Sequence, residues 1–124
     1  MKGIFTLTLA LVILNVHAQN FTWTAQNSGT TELLNDLYFV DNQTGWAVGD
    51  NGTIVATVDC GETWTAQTSG TDRKLRSVFF LDQDTGWVAG GESPLIVLYT
   101  VNGGADWEAL SVTADPTTAF LNKI

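Results

Sequence analysis

Few residues of this 124-residue chain have the type and spacing to do chemistry. His17 is the only histidine and Cys60 the only cysteine, so no disulfide forms within the chain. His17 lies in an N-terminal stretch expected to be removed, which excludes Ser–His and Cys–His dyads and zinc sites of the Cys/His kind from the mature chain. Asp82-Gln83-Asp84 offers oxygens of the sort calcium takes. The matching turn, Asp41-Asn42-Gln43, holds a single carboxylate, so both read as solvated turns. The only arginines are Arg73 and Arg76, and with Lys74 they form the one basic cluster of the chain. Guanidinium forks so placed can dock a carboxylate or an acidic peptide. These three are the candidate partner-binding residues. No cofactor and no bound metal are expected.

The cluster must be positioned by a repeated framework. Thr44-Gly45-Trp46-Ala47-Val48-Gly49 returns 41 residues later as Thr85-Gly86-Trp87-Val88-Ala89-Gly90. Trp64-Thr65-Ala66-Gln67 is preceded at the same shift by Trp23-Thr24-Ala25-Gln26. Thr57-Val58-Asp59-Cys60-Gly61-Glu62-Thr63-Trp64 returns as Thr100-Val101-Asn102-Gly103-Gly104-Ala105-Asp106-Trp107. A period of this length with glycine and tryptophan at fixed offsets marks one supersecondary unit per repeat.

Each unit reads as four short strands. Leu34 to Val40 and its copy Leu75 to Leu81 are apolar on both faces and must be covered on both. Gly45 to Gly49 is built on Trp46, Ile54 to Val58 follows, and Trp64 to Gln67 closes the unit. Phe21 to Gln26 alternates aromatic and polar residues and reads as a strand too. Asn51-Gly52 predicts a hairpin turn with two positive φ angles. Glu92-Ser93-Pro94 enlarges the second copy of that hairpin. Four-stranded units stacked through apolar faces predict an all-β fold, a partial β-propeller of about two antiparallel blades. The expected organisation is a blade end at 19–30, blades at 31–71 and 72–113, and the start of another at 114–124. Thr117 to Ile124 lines up with Thr30 to Leu37, so the chain reads as a truncated gene or fragment. The remaining blades would come from missing chain or from self-association.

A net charge of −8 argues against nucleic-acid or anionic-membrane partners. Residues 1–18 differ from the rest. Lys2 precedes the apolar run Ile4 to Val16, and Val16-His17-Ala18 forms a cleavage site before Gln19. About thirteen apolar residues span only ~20 Å as a helix, short of a ~30 Å hydrocarbon core. A cleaved signal peptide is therefore expected, with a secreted, periplasmic or cell-surface product and no membrane contact after cleavage. In the four-strand order, Asp41, Asp82, Asp84, Asp59, Glu62 and Asp106 share one rim. Arg73, Lys74 and Arg76 fall on the other, beside Asp72.

Thr57-Val58-Asp59-Cys60-Gly61-Glu62-Thr63-Trp64 resembles the Asp box of bacterial sialidases and sortilin-type propellers. The wider repeat adds Leu34-x-x-Leu37-x-Phe39, Thr44-Gly45-Trp46 and Trp64-x-x-Gln67-x-Ser69-Gly70-Thr71. It is similar to the photosystem II stability/assembly-factor repeats, a BNR/Asp-box family of β-propellers. The resemblance covers Phe21 to Trp107 and implies a structural role for the box: Thr57, Asp59, Gly61, Thr63 and Trp64, with Thr100, Asn102, Gly104 and Trp107 in the second copy. That second copy departs from the pattern, with Asn102 for Asp and Asp106 for Thr. Cys60 stands where glycine is usual. A sialidase needs an arginine cluster, an acidic catalyst and a tyrosine nucleophile. Two arginines one loop apart and Tyr38 in a doubly apolar strand do not meet that need, so no enzyme activity is expected. The resemblance implies a secreted, non-catalytic scaffold that binds protein. The alternatives are a fragment of a glycan-processing or glycan-binding propeller, with glycan as partner, and a repeat segment of a surface adhesin.

Overall fold

The structure, a computed structural model, describes residues 22–111. The expected signal peptide, the first residues of the blade end and the expected start of a further blade lie outside them. The described chain forms two four-stranded antiparallel sheets, each a meander in sequence order. The first blade contains β1 (Leu34–Phe39), β2 (Gly45–Gly49), β3 (Ile54–Thr57) and β4 (Thr65–Gln67). The second contains β5 (Leu75–Phe80), β6 (Gly86–Gly90), β7 (Ile96–Thr100) and β8 (Glu108–Leu110). The fold is an all-β partial propeller, as the repeat predicts. No helix among the described residues is long and apolar enough to cross a membrane.

Turn chemistry sets the strand ends. Asp41 Oδ1 accepts the N–H groups of Gln43 and Thr44 at 2.8 and 2.6 Å, and Asp82 Oδ1 does the same for Asp84 and Thr85 at 2.8 and 2.7 Å. Between β2 and β3, Asn51 (φ 56°) and Gly52 (φ 69°) take the two left-handed conformations expected of Asn-Gly, and Thr53 N–H closes onto Asp50 O at 3.2 Å. The corresponding β6–β7 connection is longer and carries Glu92-Ser93-Pro94.

Four strand ends differ from the sequence reading. β1 stops at Phe39 and β5 at Phe80, one residue early, where the Val40 and Leu81 N–H groups close the turns onto Thr44 O and Thr85 O. β3 stops at Thr57 because the Thr57 hydroxyl turns inward to accept the N–H groups of Asp59 and Gly61 at 3.3 and 2.9 Å, leaving Val58 exposed. β4 begins at Thr65, after the box turn. A larger correction concerns Phe21 to Gln26: the described part of this stretch forms no strand. It is the counterpart of β4, and β4 is held by β3 through the pairs Ile54–Gln67, Val55–Ala66 and Ala56–Thr65. Among the described residues no third strand is present for 22–26 to pair with. Alternation alone could not reveal that. Trp23 is left 98% exposed.

The core lies between the blades. Trp46, Val48 and Ile54 of the first pack against Leu75, Val78, Phe80, Val88 and Leu98 of the second. Trp46 stacks on Phe80 with ring centroids 3.4 Å apart and planes 5° apart, and each is at most 2% exposed. One buried tryptophan of ~150–250 Å² contributes on the order of 4–6 kcal/mol as an upper figure. Tyr38 lies in the same seam, edge-on to Phe79 at 5.2 Å, a packing role. The expectation that β1 is covered on both faces is not met within the described residues: Leu37 and Phe39 remain 55% and 37% exposed. The face that Trp46, Val48 and Ile54 cover on the second blade is open on the first.

Candidate functional site: Asp-box turns and the basic rim

Both boxes are closed hydrogen-bonded turns between the third and fourth strands. In the first, Asp59 Oδ1 accepts from the Thr57 hydroxyl (2.8 Å) and Thr63 N–H (2.9 Å), while Oδ2 accepts from the Thr63 hydroxyl (2.5 Å). The Thr63 hydroxyl first, then its N–H and the Thr57 hydroxyl, hold the Asp59 carboxyl below the usual 3.8. Gly61 takes φ 85° and sits where a Cβ would lie 2.3 Å from Gln26 Oε1. Cys60, exposed, takes φ 64° without being glycine. Trp64 packs edge-on against Phe39 at 6.1 Å.

The second box keeps this pattern with different groups. The Thr100 hydroxyl and Asp106 N–H donate to Asn102 Oδ1 at 2.9 and 3.0 Å. Asn102 Nδ2 then donates to Asp106 Oδ2 at 2.9 Å. Gly104 accommodates φ 89°, and Trp107 lies edge-on to Phe80 at 5.9 Å.

Each box turn also receives the preceding repeat. Gly103 O accepts Trp46 Nε1 at 3.1 Å and Gln67 Nε2 at 3.0 Å, and Trp107 Nε1 donates to Gln67 Oε1 at 3.1 Å. Gln26 stands in the same relation to the first box, donating to Cys60 O at 3.4 Å. On the inner strands, Asn35 Nδ2 donates to Leu75 O at 2.8 Å, and Val78 N–H donates to Asp36 Oδ2 at 3.0 Å. Sequence reasoning named Gln67 only as part of the repeat pattern and did not single out Asn35 or Asp36. Gln67 alone had a signal, as a polar residue repeated at the same place in both copies.

The β1–β2 turns and the boxes share one rim, joined by Cys60 N–H to Gln43 O (3.0 Å) and Gly103 N–H to Asp84 O (2.8 Å). Gln83 Nε2 bridges the blades there, donating to Asp41 Oδ2 at 2.8 Å. The Gln43 N–H first, then Gln83 and Thr44, lower the Asp41 pKa; the N–H groups of Thr85 and Asp84 lower that of Asp82. Among the described residues no group of His, Cys, Asp and Glu side chains is arranged to hold a metal ion.

Arg73, Lys74 and Arg76 lie on the other rim with the β2–β3 and β6–β7 connections. Gly52 N–H and Gly91 N–H donate to Arg73 O and Lys74 O, both at 2.8 Å. The side chains meet acids that the sequence reading did not include in the cluster. Lys74 Nζ lies 3.6 Å from Asp50 Oδ1, and Arg76 Nη2 donates to Glu92 Oε1. Arg73 Nη1 donates to Pro94 O at 2.9 Å. A shallow groove of about 340 Å³ runs between Arg73, Lys74, Gly91, Glu92 and Ser93. Arg76 Nε is buried without a hydrogen-bond partner. The site is therefore a row of alternating charges beside a groove, each cation retaining donors for an incoming carboxylate or main-chain carbonyl.

The comparisons with known proteins agree with this architecture. The family model described as photosynthesis system II assembly factor YCF48 matches residues 15–117. A solved structure of YCF48 bound to D1 peptide is 34% identical and matches 82% of this chain, with a TM-score of 0.67. YCF48 from Cyanidioschyzon merolae is 27% identical over 68% of this chain, with a TM-score of 0.59. The chain spans about a third of the length of these structures, 33% and 28%. No curated protein matches it. With the family model matching most of the chain and both blades reproduced in solved propellers, the chain belongs to the photosynthesis system II assembly factor YCF48 family.

Proposed function

We propose that the chain is a non-catalytic propeller segment that binds a polypeptide and acts as an assembly scaffold. The observation that carries this reading is the likeness, at 34% identity, to a YCF48 structure holding a peptide. The lack of a histidine beyond His17 and the wholly structural use of Asp59 and Asn102 fit a binding role. The partner surface is the rim of Arg73, Lys74 and Arg76, with its groove of about 340 Å³. An acidic or carboxylate-terminated peptide displaces Glu92 from Arg76 and lies along the groove, bonded by arginine forks. Export through cleavage after Ala18 completes the proposal, and mass spectrometry of the exported product would then find Gln19 at the N-terminus.

The test is fluorescence anisotropy of a labelled glutamate-rich peptide, with a neutral peptide of equal length as control. Binding of the acidic peptide alone, weakened by salt and lost in an Arg73→Ala/Arg76→Ala double variant that remains folded, supports the assignment. Equal binding of both peptides, or an unaffected double variant, removes the rim from consideration.

A further inference from the structure

We infer that copies of this chain associate head to tail, the outer face of the second blade of one seating on the open face of the first blade of the next. The seam already present between the blades is the template. There the presenting side is Trp46, Val48 and Ile54, and the receiving side is Leu75, Val78 and Phe80. Both sides recur in the same chain without counterparts among the described residues.

On the presenting side, Trp87 occupies in its sheet the place of Trp46. Trp46 pairs with Tyr38 and Ala56 across the ladder; Trp87 pairs with Phe79 and Tyr99. Phe79 and Leu81 stand exposed on this face. On the receiving side, Phe39 occupies the place of Phe80, backed by Trp64 as Phe80 is by Trp107. A groove of about 470 Å³, lined by residues that include Leu34, Leu37, Ala47 and Trp64, opens on that face. Its counterpart on the second blade is covered by Trp46, Val48 and Ile54.

Residues 24–26 supply the second observation. They repeat Thr65-Ala66-Gln67, and Gln26 already donates to Cys60 O as Gln67 does to Gly103 O. They have a clamp but no ladder. β8, in contrast, has a ladder with β7 but ends in Leu110, which cannot clamp a box, and all three of its residues are exposed. In the assembly, residues 24–26 of one copy pair with the β7 edge of its neighbour in place of β8. The joint then has both the pairing and the glutamine clamp of the internal seam.

The two faces differ from each other, so the contact is heterologous and adds copies in one rotational sense until the ring closes. The net charge of −8 opposes the apolar contact, so added salt strengthens it. Salt has the opposite effect on peptide binding at the basic rim, and the two can fail independently.

The experiment is light scattering and sedimentation of the full chain at two salt concentrations, with Leu37→Asp on the receiving face and Trp87→Asp on the presenting face. Leu81→Asp, at a more exposed position on the same face, repeats the second test if Trp87→Asp misfolds. The wild type is expected to assemble, more so at high salt, and each single variant to lose the assembly. An equimolar mixture of the two variants retains one intact face of each kind and is expected to form pairs that grow no further. A wild type that stays monomeric overturns the inference and leaves both faces to other blades of a longer polypeptide. So does a mixture that stays monomeric, or single variants that assemble as the wild type does.

Discussion

The two box turns reach the same shape with one side-chain hydrogen bond reversed. In the first, the central Asp59 carboxylate only accepts, from the Thr57 hydroxyl and from the N–H and hydroxyl of Thr63. In the second, the central Asn102 accepts from Asp106 N–H and gives a donor back to the Asp106 carboxylate. The charge has moved from the middle of the turn to its far end, and no hydrogen bond of the pattern is lost. What the repeat maintains is the pairing of donors with acceptors, whichever residues provide them. A second contrast runs alongside the first. Phe39 and Phe80 hold equivalent places, yet Phe80 is 1% exposed in the seam and Phe39 37% exposed on an open face.

The largest expected effect separates those two phenylalanines. Phe80→Ala should cost about 3–5 kcal/mol, the range for truncating a buried aromatic, and Phe39→Ala less than half of that. Urea denaturation of the non-associated chain measures both. Equal costs would mean that the seam is not where stability resides.

Next comes the polarity of the second box. Asn102→Asp places two carboxylates against each other and should cost about 1–2 kcal/mol at neutral pH, with Asp106→Thr restoring the loss. The single variant should recover stability as pH falls, because paired carboxylates raise one pKa. A double variant no better than Asn102→Asp would show that the two positions are not coupled.

Cys60→Gly brings the first turn into line with Gly103, which takes φ 70°. Relief of a left-handed cysteine, less the added freedom of the unfolded chain, should raise stability by up to about 1 kcal/mol. A fall in melting temperature would assign the Cys60 side chain a contact of its own.

The smallest effect is in acid. Asp41, Asp59 and Asp82 have pKa values lowered from 3.8. Their stabilisation is complete above that value and is lost as pH falls below it. Asn102 does not titrate. Amide exchange of Thr63 should therefore accelerate below pH 3.8 before that of Asp106 does. Simultaneous acceleration would point to global unfolding in place of local opening.

Much of this was legible in the residues. The repeat fixed the meander, Asn51-Gly52 its tightest turn, and the Thr–Asp–Gly–Thr–Trp spacing the box. All of these are local patterns that a chain must satisfy wherever it folds. What escaped was joint rather than local. Residues 22–26 look like a strand but have no described ladder partner. Gln67 and Asn35 look like surface polar residues but bond across the seam. Arg76 and Lys74 read as free cations because Glu92 and Asp50 are brought to them only by neighbouring hairpins.

The carbonyl at Gly103 has a wider consequence. The preceding blade takes hold of it through Trp46 and Gln67, and a carbonyl is the same whichever side chain its residue bears. Cysteine can therefore stand at position 60 where glycine stands at 103, with Gln26 still in place. Under mutation, the turn can drift in composition while its grip on the neighbour is inherited unchanged. A duplicated repeat is thus born able to join the array, and its exposed residues are then free to diverge.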